Sequence, residues 1–228
     1  LVRTTHIFFG DSSVITNVWI GLIHIIAALT MTVGNITAIG QSSVKRLLAF
    51  SSIGHVGMMM LGVLVMDKIG TQAILFYAIT YMFMTLVAFY ITSHVSDNYG
   101  SDHRVYFQGL MKKHPFMGIT MVIVLFSLAG LPPLSGFIAK YNMLAAVISK
   151  KYYGLAIIAG INSVISLYYY MSLIKAITLD EAEEADPINS LGFKNQIIIC
   201  ALCVPVVSLG IFWENIMVLA KNAEIFIR

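Results

Sequence analysis

Six stretches of the chain are apolar for long enough to cross a bilayer, and polar knots separate them. A membrane helix needs about 20 mainly apolar residues to cover roughly 30 Å of hydrocarbon. Residues 19–40 meet that length while carrying His24, Thr30, Thr32, Asn35 and Thr37. The knot Gln41-Ser42-Ser43-Val44-Lys45-Arg46 follows, then a second span over 47–65, closed by Asp67-Lys68-Ile69-Gly70. The third span is 71–94, and 96–114 is a polar loop holding Asp97, Asp102, Arg104, Lys112 and Lys113. The fifth covers 152–177 and the sixth 197–219, with Pro205 as an expected kink. Between these two, the acidic run 180–187 reads as a solvated connection.

The fourth apolar segment, 116–148, breaks the pattern. As one helix it would be about 50 Å long, well beyond the hydrocarbon core. Its middle reads Gly130-Leu131-Pro132-Pro133-Leu134-Ser135-Gly136. Two prolines remove backbone donors and clash with the preceding turn, and the glycines loosen the chain further. The segment is therefore predicted to be one span interrupted by non-helical backbone. Such backbone persists at membrane depth only inside protein or along a wet cavity, which makes it a functional pointer.

Composition agrees with lipid as the solvent. Of the 228 residues, 58% are hydrophobic and 11% charged, against about 45–50% and a quarter for soluble domains. The predicted fold class is all-α, a polytopic transmembrane helix bundle of about six spans with one discontinuous helix, in a single membrane domain over 1–228. A net charge of +3 with no basic stripe is too small to argue for nucleic acid, and no such partner is expected. The opening LVRTTHIFFG lacks the basic, apolar and small-residue order of a signal peptide. Tyr and Trp near span ends (Trp19, Tyr152, Tyr153, Trp213) suit the headgroup level. The loops holding Lys45, Arg46, Arg104, Lys112, Lys113, Lys175 and Lys194 carry slightly more positive charge than the opposite set, which places them in the cytoplasm or matrix.

Lys140 is the leading chemical candidate. It lies ten residues before Lys150, which marks the membrane edge, hence roughly 15 Å deep along a helix. A lysine at the bilayer centre costs at least about 2.5–3.5 kcal/mol on insertion scales. A wet cavity, a carboxylate or a half-helix dipole must offset that cost. Taking an amine out of water penalises its charged form, so its proton becomes exchangeable. The plain alternative is a lysine paired off within the bundle with no transport role.

His55, Tyr77 and Tyr81 are secondary candidates for a proton relay; the two tyrosines are four apart and share a helix face. Each could equally serve only to hydrogen-bond neighbouring helices. With Asn35, Ser51, Ser52, Asn162 and Ser166 they make a continuous polar seam conceivable. Lys45 either anchors the interface or bends inward to that seam. Lys175 is expected to snorkel. Cys200 and Cys203 form a CxxC, but within IIICALCVPVV they lack further ligands and read as lipid-facing or packing residues. The 13 methionines read as packing filler. No phosphate loop, nicotinamide or flavin fingerprint, or iron–sulfur cysteine set is present.

Three segments carry a family resemblance. GNITAIGQSSVKRLLAFSSIGHVGMMMLGVL (34–64) and FSLAGLPPLSGFIAKYNML (126–144) resemble the antiporter-like membrane subunits of respiratory complex I. INSVISLYYYMSLIKA (161–176) is most similar to the N-type subunits of that family. The resemblance implies helices nine to fourteen of a fourteen-helix protein whose inverted repeats each hold a broken helix. Lys140 matches the family's lysine on the second broken helix, where M-type subunits generally have glutamate; L-type and Mrp-type proteins also use lysine. The family's first repeat, with its glutamate and lysine, would precede Leu1, so 228 residues do not by themselves hold the family's full proton path. His24 stands where the family is expected to be apolar and inherits no role.

The function so implied is proton translocation as a membrane subunit of NADH:quinone oxidoreductase. NADH, FMN, iron–sulfur clusters and quinone would bind partner subunits, and this chain no cofactor or metal. Its partners would be other complex I membrane subunits, antiporter-like neighbours among them, and the lipid bilayer of a bacterial or mitochondrial inner membrane. The alternatives are a subunit of an Mrp-type cation/proton antiporter and an inactive structural subunit.

Overall fold

With lipid in place of water, a backbone must satisfy its own hydrogen bonds, and a helical bundle does so within each segment. A computed structural model of the protein describes residues 13–65, 67–181 and 191–214. Among them are eight α-helices and no strand: α1 Ser13–Ile39, α2 Val44–Val65, α3 Lys68–Tyr99, α4 Leu110–Lys113, α5 Pro115–Ala129, α6 Ser135–Ser149, α7 Tyr153–Thr178 and α8 Phe193–Ile211. Helices α1, α2, α3, α7 and α8 are each long and apolar enough to cross a membrane. The half-helices α5 and α6, 15 residues apiece, make the remaining crossing together. The chain is a multi-pass membrane protein, and the discontinuous span lies where the prolines and glycines predict it. Val18, Ile25, Leu29, Val33, Ile157 and Val164 stay exposed, as lipid-facing residues do.

Helix α3 runs past its predicted ends at both sides. It begins at Lys68 because the Asp67 carboxylate caps it, accepting the Gly70 N–H at 3.0 Å. It continues through Ser96, Asp97 and Asn98 because polar side chains are tolerated beyond the hydrocarbon, and it stops where Gly100 turns left-handed at φ 67°. The acidic run beyond Glu181 and the last part of the sixth span lie outside the described residues. Pro205 sits inside α8.

Loop contacts define the two faces of the bundle. On one, the Val44 N–H donates to the Asp102 carbonyl at 2.9 Å, and Gly109 to Ala176 at 3.0 Å. The Arg104 guanidinium reaches the carbonyl and hydroxyl of Ser172 there. On the opposite face Lys150, just past α6, pairs with Asp67 at 3.0 Å. Partial burial raises the Asp67 carboxyl, but the Gly70 N–H and the Lys150 ammonium outweigh it and hold the group below the usual carboxylate range. A depressed carboxyl stabilises the fold above its unfolded pKa, and that stability is lost as pH falls through the folded value. Unfolding midpoints of the wild type should therefore fall more steeply on acidification below about pH 4 than those of Asp67→Asn. Parallel pH profiles would show that the pair contributes nothing.

The break is built by side-chain and main-chain contacts together. Gly130 ends α5 in the left-handed region at φ 86°, and its N–H returns to Phe126 and Ser127. The Leu131 N–H also reaches Phe126, a paired closure typical of helix ends. Helix α6 then starts alongside the last turn of α5: the Gly136 N–H donates to the Ser127 hydroxyl at 3.0 Å. A Cβ on Gly136 would stand 1.8 Å from the Ser127 carbonyl oxygen. From outside, α8 brings Gly210 against the turn, where a Cβ would meet the Pro133 carbonyl at 2.2 Å.

Two apolar clusters fill the interior. One gathers Met84, Ile91, Leu125, Tyr170 and Leu173, and the other Met31, Leu61, Phe76, Tyr77 and Met143. The polar seam lies where they meet.

Candidate functional site

Lys140 is the sixth residue of α6 and is only 7% exposed. Its Nζ donates to the Ala129 carbonyl at 2.9 Å and to the Ser166 hydroxyl at 3.1 Å. Ala129 is the last residue of α5, so this carbonyl is one that the helix itself leaves unpaired. It also lies at the negative end of the half-helix dipole. The ion pairs found among the described residues, Lys150–Asp67 and Lys175–Asp180, leave Lys140 out. Among the described residues its hydrogen-bond partners are thus broken backbone and a hydroxyl rather than a carboxylate.

His55, buried on α2, faces the same space. Its Nδ1 lies 2.8 Å from the Tyr77 hydroxyl on α3 and its Nε2 3.3 Å from the Tyr170 hydroxyl on α7. The Tyr81 ring packs on the imidazole at 4.8 Å between centroids. A neutral imidazole donates from one nitrogen and accepts at the other, so His55 can link the two hydroxyls in a directed chain. His55, Tyr77, Lys140, Asn162 and Ser166 line one cavity of about 10 Å³, room for roughly a single water.

Asn35 and Asn162 extend the seam to α1. Asn35 Nδ2 donates to Asn162 Oδ1 at 3.1 Å, Asn162 Nδ2 donates to the Thr32 hydroxyl at 3.2 Å, and the Tyr169 hydroxyl donates to Asn35 Oδ1 at 2.9 Å. The Ser166 hydroxyl that accepts from Lys140 donates its own hydrogen bond to the Ser163 carbonyl at 2.7 Å. Ser51 and Ser52 each donate to the Leu48 carbonyl of their own helix.

The structure thus brings Lys140, His55 and Tyr77 together, with Tyr81 behind the histidine. It keeps Lys45 apart. That lysine sits in the first turn of α2, half-buried, donating to the Ser96 hydroxyl at 3.0 Å, about 15 Å along the helix from His55. Lys175 is exposed near Asp180, as expected of a snorkelling residue. His24 is occupied by the Ile20 carbonyl and the Tyr152 ring. Cys200 and Cys203 are free thiols on α8. Tyr169 and Tyr170 were not singled out from the sequence. Their signal was present in the spacing Asn162, Ser166, Tyr169, Tyr170, which sets all four on one helix face.

A bundle of membrane helices with one interrupted span, and an amine seated against the interruption, places the protein in the architectural class of discontinuous-helix membrane proteins. Within that class the match is specific. Residues 1–166 match the family described as NADH:quinone oxidoreductase/Mrp antiporter, transmembrane, and the chain belongs to it. It is 37% identical over 204 residues to NADH-quinone oxidoreductase subunit N of Anaeromyxobacter sp. (strain Fw109-5), covering 86% of this chain and 39% of that protein. Subunit N 2 of Chloroherpeton thalassium is 36% identical over 217 residues, covering 94% and 42%. The chain therefore spans about two-fifths of the length of these relatives. Among solved structures, respiratory complex I from Thermus thermophilus with bound aureothin contains a chain 32% identical at a TM-score of 0.77, with 86% of this chain and 44% of that one covered. The Mrp complex from Dietzia sp. shares the fold, at 22% identity and a TM-score of 0.81, covering 90% and 46%.

Proposed function

We propose that this chain is the C-terminal part of an N-type membrane subunit of a bacterial NADH:quinone oxidoreductase and carries a proton half-channel centred on Lys140. One observation carries the reading: a buried amine, unpaired with any acid among the described residues, held by the carbonyl of a broken helix beside a water-sized cavity shared with His55. The ammonium form is favoured by the Ala129 carbonyl and the α5 dipole. Loss of its proton into the cavity leads to His55 and from there to the Tyr77 and Tyr170 hydroxyls. Tyr81 holds the imidazole plane, and Lys45 stands at the membrane edge of the same helix, where it supplies positive charge to the channel mouth. NADH, FMN, iron–sulfur clusters and quinone belong to partner subunits of the inner membrane complex, and quinone reduction there acts on this chain by changing the electrostatics along its polar axis. The names of the relatives support subunit N over an Mrp-type antiporter, since the Mrp likeness is one of fold.

Lys140→Ala in the assembled complex, reconstituted in vesicles, should leave NADH oxidation running while fewer protons are moved per NADH. Unchanged pumping overturns the assignment. Sodium-dependent pH exchange without quinone would favour the antiporter instead.

A further inference from the structure

The two glycines flanking the break are constrained in different ways. At Gly136 the obstacle to a side chain is main chain, the Ser127 carbonyl. At Gly130 the three nearest atoms to an added Cβ all belong to one side chain: Lys140 Cδ at 2.8 Å, Cε at 3.4 Å and Nζ at 3.4 Å. The lysine stem lies across the bare Cα of the residue that ends α5, and from there its Nζ reaches the adjacent Ala129 carbonyl at 2.9 Å. We infer that Gly130 is a positioning residue for Lys140, its missing side chain forming the seat that lets the ammonium reach the end of α5.

Gly130 has a second reason to be glycine, its φ of 86°. The two reasons are separable. Left-handed strain on an L-residue does not depend on what lies at position 140, whereas crowding by Cδ, Cε and Nζ vanishes when the lysine is removed. An added methyl meets a flexible stem rather than backbone, so the stem is what moves. Its displacement draws Nζ away from the carbonyl that balances its charge. Misplacing a reacting group by 1 Å can cost on the order of 100-fold in rate.

The test is a double-mutant cycle in the whole complex, with Gly130→Ala, Lys140→Ala and the double variant read by thermal unfolding midpoint and by protons moved per NADH. Gly130→Ala should lower the midpoint at least about twice as far with Lys140 present as in the Lys140→Ala background. It should also lower protons per NADH while NADH oxidation persists, a split that a merely structural defect would not produce. Gly130→Asn, which tolerates left-handed φ but keeps the Cβ, should recover only the part of the midpoint lost to backbone strain and still move fewer protons per NADH than the wild type. Equal midpoint losses in both backgrounds, or wild-type pumping by Gly130→Ala, overturn the inference. Should Gly130→Ala not assemble, assembly of the double variant supports it and failure of both overturns it. The pumping arm rests on the role proposed for Lys140. If Lys140→Ala itself pumps normally, that role falls, and the midpoint arm alone decides whether Gly130 seats the lysine.

Discussion

Gly136→Ala should leave almost no folded subunit in the membrane. Overpacking of an ordinary core site costs about 1–3 kcal/mol because side chains can yield. Here the added carbon would sit 1.8 Å from the Ser127 carbonyl oxygen, which the α5 backbone holds in place. Relief requires α5 and α6 to part, breaking the bond from the Gly136 N–H to the Ser127 hydroxyl and uncovering Lys140. A loss above about 4 kcal/mol, exceptional for one methyl group, is expected. The amount of subunit recovered from purified membranes, compared with an alanine at Gly160, where a Cβ meets nothing within 4 Å, measures it. Equal recovery of the two variants would mean that the half-helices can slide apart freely.

Lys140→Met should separate stability from function. Methionine matches the lysine stem in volume and brings no charge, so the desolvation penalty of several kcal/mol that a buried ion carries is removed. The Ser166 hydroxyl keeps its bond to Ser163, and the Ala129 carbonyl loses its donor at a cost of about 1–3 kcal/mol, less than the desolvation relieved. The variant should thus unfold at or above the wild-type temperature while moving fewer protons per NADH. A midpoint several degrees below wild type would mark the lysine as part of the structural core. Lys140→Ala differs, since it also leaves a void and should unfold earlier.

How much of this was readable in the chain depends on how local each signal is. The interrupted span announced itself, because two prolines between glycines in an apolar run have few other meanings. Lys140 was equally plain, a charge placed at mid-membrane depth by counting from Lys150. The partners of that charge were not readable. The Ala129 carbonyl is main chain and leaves no mark in a sequence, and Ser166 reaches Lys140 from 26 residues away. His55 could be suspected, but its bond to Tyr170 spans 115 residues and depends on how α2 and α7 pack. Lys45 was open between two readings, and it donates to Ser96 from the first turn of its helix, apart from the polar seam. The ends of α3 were misjudged because hydrophobicity reports where lipid stops, while the helix ends where Asp67 and Gly100 cap it.

Gly210 gives the proline turn a backstop. With α8 resting on the Pro133 carbonyl at main-chain distance, the bend is wedged from one side and pinned by Ser127 from the other. A span held in this way cannot straighten without displacing a neighbour, so its crook behaves as a fixture rather than a joint. Motion near the lysine is then left to what is small and quick: a side chain, a hydroxyl rotor, a water.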